Sequence, residues 1–283
     1  MTEYAIEARD LTYDYEDGTP ALAGVCFRAE AGKVTGILGG NGAGKSTLFL
    51  NLNGVLTPKG GTVLSGGKPV RYDRKGILEL RRKVGIVFQD PDDQLFSADV
   101  YRDISFGAVN LGLPAEEVRR RVDWAMERTG VAGLRDKPTH ALSYGQKKRV
   151  AIAGVLVMEP EVMILDEPTA GLDPQGVSDV MHLLAELRRD LGITIIVATH
   201  DMDIVPLYCD YAYLLCQGKV TAEGTPGELF SQAELLRENH LRLPRIAHLM
   251  EILRDLDGLD ADRSAATISA ARREIKRLIE ESK

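Results

Sequence analysis

The chain has 283 residues, of which 44% are hydrophobic and 27% are charged, as is ordinary for a folded globular protein of one or two domains. Its formal net charge of −7 argues against a nucleic-acid partner, because nucleic-acid-binding chains are usually basic. Its three cysteines form no C-x-x-C pair, which predicts reduced thiols in a cytosolic protein rather than a disulfide framework or a metal site.

Neither a membrane span nor a targeting segment is predicted. The longest apolar run, Val150–Met158, contains Gly154 and is far shorter than the roughly 18 residues that a spanning helix needs. Residues 1–4 have neither the basic start nor the apolar stretch of a secretory signal. We therefore expect any role at a membrane to depend on partner proteins.

The first elements are short strands. Alternating apolar residues predict strands at Tyr4–Ala8 and Val25–Ala29, with a turn at Glu16–Pro20 between them. A largely apolar run, Val34–Leu38, is predicted as a third strand.

A glycine-rich loop follows this third strand. The segment Gly39–Ser46 reads G-x-x-x-x-G-K-S, the phosphate-binding P-loop, and a helix is predicted over Ser46–Leu52. Backbone N–H groups and the helix N-terminus would surround the phosphates, with Lys45 on the β- and γ-phosphates and Ser46 on Mg²⁺. The predicted nucleotide-binding residues of the loop are Gly39, Asn41, Gly42, Ala43, Gly44, Lys45, Ser46 and Thr47.

The middle of the chain changes from mixed to helical character. A short strand at Thr62–Ser65, a helix over Arg71–Arg82 and a buried strand at Val84–Phe88 come first. From about residue 91 to residue 160, apolar residues recur at helical spacing, for example at Val118 and Val122. We predict that this region is a helical insertion.

Strand character then returns. Three apolar runs are predicted as strands, and the helix Val177–Leu191 joins the first two: Val162–Leu165, Ile193–Val197 and Tyr211–Leu215. Alternating strands and helices predict an α/β fold with a parallel sheet. After Glu228 no strand is predicted, and a charged helical segment is punctuated by Pro244 and Gly258. We divide the chain into a nucleotide-binding unit at residues 1–229 and a helical appendage at residues 230–283.

Two carboxylates end the strand that begins at Val162. This is the Walker B pattern, in which Asp166 would hold Mg²⁺ and Glu167 would accept a proton from the attacking water or orient it. An acidic turn after a strand is the simpler alternative, but the P-loop upstream favours the catalytic interpretation.

The segment Leu142–Gln146 reads L-S-Y-G-Q. With it the chain resembles the ATP-binding cassette (ABC) ATPases, whose signature reads L-S-G-G-Q between the P-loop and Walker B. The resemblance implies that Ser143, Gly145 and Gln146 close over the γ-phosphate of an ATP bound to a second subunit. Tyr144 replaces the usual glycine, which is compatible with this role if its side chain points away from the nucleotide.

Four further residues match this family in order along the chain. The resemblance implies that Gln89 lies in the Q-loop and touches Mg²⁺ or its water, that Asp173 reaches across a dimer interface, and that His200 contacts the γ-phosphate. Tyr15 falls where the family stacks an aromatic ring on adenine, with Tyr13 as the alternative on the same strand face. The implied fold is the P-loop ABC ATPase fold with an antiparallel β subdomain, an inserted helical subdomain and the C-terminal helical appendage.

Finer resemblances concern the kind of cassette. The segments Gln89–Ser97 and Asp203–Pro206 are similar to the ATPases of energy-coupling factor transporters, and Asn239–Ile246 is similar to their cobalt/nickel branch. An ATPase of this kind works as a pair with a second ABC subunit, here most simply a homodimer. The resemblance implies that the pair binds a transmembrane scaffold, the T-component, and acts with a substrate-binding membrane protein. The ATPase pair itself would lie at the cytoplasmic face of the cell membrane as a peripheral protein. The resemblance places scaffold docking at Leu95–Phe106, which would otherwise be an ordinary amphipathic helix inside the insertion.

Other functions stay open at this point. The chain could serve an importer of another substrate, such as a vitamin, an amino acid or phosphate. A soluble cassette of DNA repair or translation is less favoured, since the chain has one cassette and no room for a long coiled coil. A P-loop kinase or GTPase has no use for Leu142–Gln146. The appendage could be a dimer contact or a regulatory cap.

Overall fold

The computed structural model of the chain describes residues 3–281. Met1 and Thr2, part of the N-terminal segment considered above, lie outside the described residues, as does the predicted end of the appendage at residues 282–283. Within the described part, the strands are β1 (Tyr4–Asp14), β2 (Pro20–Glu30), β3 (Val34–Leu38), β4 (Gly60–Ser65), β5 (Lys68–Pro69), β6 (Val84–Val87), β7 (Val162–Asp166), β8 (Thr194–Thr199), β9 (Tyr211–Cys216) and β10 (Lys219–Gly224). The α-helices are α1 (Lys45–Leu52), α2 (Arg74–Lys83), α3 (Val100–Asn110), α4 (Ala115–Arg128), α5 (Tyr144–Leu156), α6 (Pro174–Leu191), α7 (Val205–Tyr208), α8 (Pro226–Phe230), α9 (Ala233–Glu238), α10 (Arg245–Asp255) and α11 (Ile268–Glu281).

The central sheet has six strands in the order β10-β9-β3-β8-β7-β6, and all neighbours are parallel except β10 and β9. Every residue of β3, β7 and β8 is buried, as suits largely apolar strands that have a parallel neighbour on each side. Edge strand β10 was not predicted from the sequence. Its residues alternate between exposed and partly buried, with Lys219 and Glu223 on the exposed side, so its sequence lacks the apolar run of the inner strands.

A second, four-stranded sheet is antiparallel, in the order β2-β1-β4-β5. Strands β1 and β2 are both longer than the predicted segments. A register shift between Ala8 and Leu11 accommodates Asp10, whose φ is +50°, and such bulges break the alternation on which strand prediction depends. Together the two sheets confirm the predicted fold class, an α/β ABC ATPase fold with an antiparallel β subdomain.

The helical insertion contains α3, α4 and α5. They share one apolar core, in which Ile104, Val122 and Val150 are fully buried. Helix α3 begins at the side chain of Asp99, which accepts a hydrogen bond from Arg102 N, and α5 begins at Ser143. These caps fix the direction in which α5 leaves the signature segment, because they satisfy N–H groups that a helix N-terminus leaves unpaired.

The C-terminal helices pack in two places. Leu236 and Leu241 belong to an apolar cluster that includes Leu38 and Leu214 of the central sheet. Helices α10 and α11 enclose a smaller cluster around Met250. The appendage is thus joined to the sheet beside the strand that leads into the P-loop. No helix within residues 3–281 combines the length and the apolar character needed to cross a lipid bilayer.

Candidate functional site

A cleft of about 1020 Å³ opens at the carboxyl ends of β3, β7 and β8. Ligands of open α/β sheets bind at this edge, where loops from several strands meet. Most of the residues predicted to bind nucleotide or metal line the cleft: Tyr15, Asn41, Gly42, Ala43, Gly44, Lys45, Ser46, Thr47, Gln89, Asp166, Glu167 and His200.

The P-loop backbone is shaped by its last glycine. Gly44 has φ +103°, and a Cβ at this position would lie 2.7 Å from the carbonyl oxygen of Ala21, so a side chain here would be both strained and obstructed. Lys45 Nζ donates to the carbonyl oxygens of Gly39 and Gly40 at 2.7 and 3.0 Å. The loop therefore holds its cation over the bend, where phosphate oxygens would bind.

A hydroxyl and a carboxylate face each other across the base of the cleft. Ser46 Oγ at the start of α1 donates to Asp166 Oδ2 at the end of β7, at 2.6 Å. Both are hard oxygen ligands, as Mg²⁺ prefers, and Gln89 lines the same cleft. These three are the residues that the sequence predicted for metal binding.

Glu167 and His200 form a pair. Glu167 is only 6% exposed and its φ is +45°, a sparsely populated conformation that often marks functional sites. His200 Nδ1 lies 2.8 Å from Glu167 Oε2, and His200 N donates to the same oxygen at 3.3 Å. Of the three residues predicted to be catalytic, Glu167, His200 and Gln89, the first two are therefore in contact, although they are 33 positions apart in the chain.

Tyr15 borders the opposite end of the cleft. Its hydroxyl lies 2.8 Å from Thr47 Oγ1, and its ring is 40% exposed, leaving a face on which a base could stack. Tyr13 meets Tyr15 edge-on, with ring centroids 5.4 Å apart. Tyr13 is not among the described residues that line the cleft, so the geometry favours Tyr15 over Tyr13.

The signature segment lies apart from the cleft. Ser143 and Gln146 form a capping box at the start of α5: Ser143 Oγ accepts from Gln146 N, and Gln146 Oε1 accepts from Ser143 N. This arrangement leaves Ser143 exposed at a helix N-terminus, a favourable place for an anion. Ser143, Gly145 and Gln146 are absent from the described residues that line the cleft, so one chain does not bring them to its own P-loop.

The ring of Tyr144 lies against Gly171, and its hydroxyl donates to the carbonyl oxygen of Gln89 at 3.5 Å. A Cβ on Gly171 would lie 2.9 Å from Cε1 of Tyr144, and Gly171 has φ +76°, so the ring needs this glycine beside it. The adjoining Asp173 caps α6 by accepting a hydrogen bond from Gly176 N at 2.7 Å. Helix α6 consequently begins at Pro174, three residues before the predicted start at Val177, because proline suits the first turn of a helix.

The sequence reasoning assigned no role to Lys148. This lysine is fully buried, and its Nζ donates to the carbonyl oxygens of Gln89 and Glu167, the latter at 3.3 Å. Burial lowers the pKa of the ammonium, while the carboxylates of Asp90, Asp166 and Glu167 oppose that shift. The sequence signal for the burial of Lys148 was its helical spacing, four residues before Ile152, which is also buried.

A second missed element is the segment His240–Leu243, together with Arg245. These residues of the appendage line the same cleft as the P-loop. In the sequence they stood out only for their similarity to one transporter branch, because nothing in a local pattern reveals that the segment folds back on the nucleotide cleft.

Comparisons with known proteins identify the family of the chain. A family model described as "ABC transporter" matches residues 22–170. Over 275 residues the chain is 60% identical to the energy-coupling factor transporter ATP-binding protein EcfA3 of Clostridium perfringens, covering 97% of this chain and 96% of that protein.

Solved structures give the same result. The cbiO1 protein of Clostridium perfringens, part of the ABC transporter complex cbiONQ, superposes with a TM-score of 0.77 at 62% identity, covering 88% of this chain and 100% of that one. An ATP-binding cassette solved as a dimer with ADP and inorganic phosphate superposes with a TM-score of 0.70 at 26% identity, covering 78% of this chain and 98% of that one. The chain therefore belongs to the ABC transporter family, and within it to the ATP-hydrolysing subunits of energy-coupling factor transporters, which energise import.

Proposed function

We propose that two copies of this chain bind two ATP molecules between them. Each ATP would contact the P-loop cleft of one copy and Ser143 and Gly145 of the other, with Asp173 at the interface. The observation that carries this proposal is the separation of the parts within one chain, because the P-loop, Gln89, Asp166, Glu167 and His200 share a cleft that the signature segment does not enter. A two-fold dimer supplies each cleft with the missing segment from its partner.

The metal proposed for this site is Mg²⁺. The 2.6 Å approach of Ser46 Oγ to Asp166 Oδ2 fits such an ion, since both are oxygen ligands already held together, and Gln89 would bind it or its water. When bound, the ion would neutralise charge on the β- and γ-phosphates.

The residues of the chain supply the rest of the chemistry. Tyr15 stacks on adenine, and the backbone from Gly39 to Gly44 and Lys45 hold the phosphates in line with the attacking water. Glu167 accepts the proton of that water as its oxygen bonds to the γ-phosphorus and the bond to the ADP oxygen breaks. His200 releases the Glu167 carboxylate and donates to a γ-phosphate oxygen. Catalysis is thus mainly positioning and charge stabilisation.

The membrane scaffold is proposed to dock on the helical insertion. Phe96 and Phe106, within the segment Leu95–Phe106, are 65% and 48% exposed and stack edge to face at 4.7 Å. They border a groove of about 550 Å³, which also includes Leu78. An exposed aromatic pair beside a groove suits an apolar helix of a partner. Docking there would keep the ATPase peripheral at the cytoplasmic face of the membrane, beside the scaffold and the substrate-binding protein.

Cobalt or nickel is the proposed cargo. The support is the segment Asn239–Ile246 and the likeness to a subunit of the cbiONQ transporter complex.

We also propose the division at residue 229, with the insertion at about residues 91–160 as the part that responds to the scaffold and residues 230–283 as an appendage. The separate apolar cluster around Met250 supports that division.

The test is to co-express the tagged chain with the membrane components of its transporter, identify what co-purifies, and measure uptake of labelled Co²⁺ and Ni²⁺ by vesicles. We expect ATP-dependent uptake that Glu167→Gln abolishes, and loss of co-purification when Phe96 and Phe106 are both changed to serine. Uptake of a vitamin, an amino acid or phosphate instead would overturn the cargo proposal, and co-purification with ribosomes or DNA would overturn the transport role.

A further inference from the structure

The nucleotide cleft has a wall that lies outside the ATP-binding unit. Besides the P-loop and the ends of β7 and β8, it is lined by His240, Leu241, Arg242, Leu243 and Arg245. These residues connect α9 to α10 and begin α10. The cleft is therefore shared between the cassette and its appendage.

The wall is fastened to the loop that carries His200. Arg245 N donates to Asp203 Oδ1 at 2.8 Å, and Asp203 N donates to Asp201 Oδ1 at 3.1 Å. Asp201 N in turn donates to Thr199 Oγ1 at the end of β8. From behind, buried Leu241 packs in the apolar cluster beside β3 and β9. The segment is thus held at both the switch loop and the core.

Arg242 and Arg245 are the exposed arginines of this wall. Arg245 is paired with Asp203, at 3.5 Å, and Lys45 is occupied by P-loop carbonyls. The guanidinium of Arg242 makes no hydrogen bond or ion pair to any residue within 3–281. It faces a cleft that also holds the carboxylates of four residues: Asp166, Glu167, Asp201 and Asp203.

This charge balance bears on any phosphate ligand. Four carboxylates repel a triphosphate, and Lys45 together with the proposed Mg²⁺ offsets only part of that negative charge. A guanidinium offers a rigid fork of donors that matches phosphate oxygens and stays charged at all working pH values. Asp201 and Asp203 lie one and three positions after His200, which places the wall at the end of the cleft where the terminal phosphate would lie.

We propose that Arg242 binds the terminal phosphate of the ATP held by its own chain, so that the appendage forms part of the nucleotide site. This inference rests on the proposed function, because it requires ATP in this cleft. It gives the appendage a direct means of sensing whether the terminal phosphate is present, through the connection from Arg245 to the His200 loop.

The experiment separates binding within one chain from dimer formation. Calorimetry would measure MgATP and MgADP binding in a Ser143→Arg background, in which the signature segment cannot close over a partner's nucleotide and light scattering verifies a monomer. Arg242→Ala, Arg242→Lys and Arg272→Ala are compared. Arg272→Ala is the matched control, because it removes an exposed arginine from α11 of the same appendage, away from the cleft.

We expect Arg242→Ala to raise the Kd for MgATP about tenfold, as for loss of a charged hydrogen bond, and Arg242→Lys to raise it less. Arg272→Ala should change it less than about twofold. The effect of Arg242→Ala should shrink at high salt, since screening weakens an exposed charge contact. For MgADP all variants should agree within about twofold, because ADP lacks the terminal phosphate.

Two results would overturn the inference. One is MgATP affinity in Arg242→Ala equal to that of Arg272→Ala. The other is an equal loss for MgADP and MgATP, which would place the arginine away from the terminal phosphate. Failure of the proposed function would look different, because the parent chain would then not bind MgATP, or Lys45→Ala would bind it as tightly as the parent. Equal thermal unfolding of the variants verifies that the exposed substitutions leave the fold intact.

Discussion

The P-loop cleft and the signature segment each include the N-terminus of a helix, yet their polar side chains are organised differently. In the cleft the polar groups are paired with one another across the chain: Ser46 with Asp166, and Glu167 with His200. In the signature segment, Ser143 and Gln146 are paired within their own helix turn, Ser143 being exposed and Gln146 partly buried. The first region is organised around its ligand within one chain, whereas the second is a preformed surface that needs a ligand from elsewhere.

The largest effect is expected from Glu167→Gln, which tests the chemistry of the cleft alone. Glutamine keeps the size of the side chain but cannot accept the proton of the attacking water. Turnover should fall by about 10²–10⁴-fold, the usual contribution of a general base, while MgATP affinity stays within a few-fold. Single-turnover hydrolysis and equilibrium binding would measure the two quantities separately.

The same variant also tests the signature surface. With hydrolysis blocked, size-exclusion chromatography at saturating MgATP should show a dimer, because the terminal phosphate continues to join the two subunits. Near-normal hydrolysis would remove Glu167 from its role. A chain that remained monomeric under these conditions would refute the pairing of the two regions.

A mixing experiment tests whether the two regions act in different chains. Lys45→Ala disables the cleft and Ser143→Arg obstructs the signature segment, so each variant alone should lose at least about 99% of its hydrolysis. In a mixed dimer, one site combines the intact cleft of the Ser143→Arg chain with the intact signature of the Lys45→Ala chain. A mixture of equal amounts should therefore hydrolyse ATP well above either variant alone, through this one composite site.

The control for the mixing experiment is the double variant, which carries both substitutions in one chain. Mixed with an equal amount of wild type, it gives the same overall proportion of each substitution. In a dimer of one wild-type and one double-variant chain, however, neither site has both an intact cleft and an intact signature segment. If the two single variants gave no more activity together than apart, while both still folded, then cleft and signature would act within one chain.

The third prediction concerns the buried connection between the two regions. Lys148 lies on α5, behind the signature segment, and binds the carbonyl of Gln89 beside the cleft. Lys148→Met should lower the free energy of unfolding by about 1.5 kcal/mol, because a buried carbonyl loses its donor. Turnover should fall about tenfold, since the Gln89 loop loses its support, with little change in MgATP affinity.

Lys147→Met is the matched control for Lys148→Met. Lys147 is the neighbouring residue on α5 and pairs with Asp92, whose side chain is exposed, at 2.5 Å. A surface pair of this kind contributes about 1 kcal/mol or less. Equal losses of stability and of turnover in the two variants, measured by denaturant unfolding and steady-state kinetics, would deny Lys148 a specific supporting role.

The sequence was most informative where the local backbone or burial restricts a position to one kind of residue. Gly44 has a left-handed backbone in which a side chain would be strained and obstructed, and buried strands such as β7 have largely apolar sequences, so both could be placed without a structure. Asp166 and Glu167 followed because they end such a strand. The motif order then implied the ABC fold, which the comparisons confirm.

The rest depends on contacts between distant parts of the chain. Lys148 resembles any other helix lysine until Gln89 and Glu167 are brought around it. Arg242 could not be placed in the cleft, because its position is set by Leu241 packing against the central sheet. Strand β10 pairs only with β9, and its polar edge residues hide it from a pattern search.

The smallest effects are expected at the rim of the cleft, where Tyr15 would stack on the adenine without any contribution from the second chain. Tyr15→Leu removes the ring and should weaken MgATP binding about fivefold, the lower end for stacking on an exposed aromatic. Tyr15→Phe keeps the ring and loses only the 2.8 Å contact with Thr47, so its affinity should stay within about twofold.

Tyr13→Leu, the control on the same strand face, should match wild type in fluorescence titrations with a nucleotide analogue. A larger loss in Tyr13→Leu than in Tyr15→Leu would reverse the assignment of the adenine-stacking residue. The effects of Tyr15 should also be the same in the Ser143→Arg background, because adenine binding, unlike hydrolysis, needs nothing from the second chain.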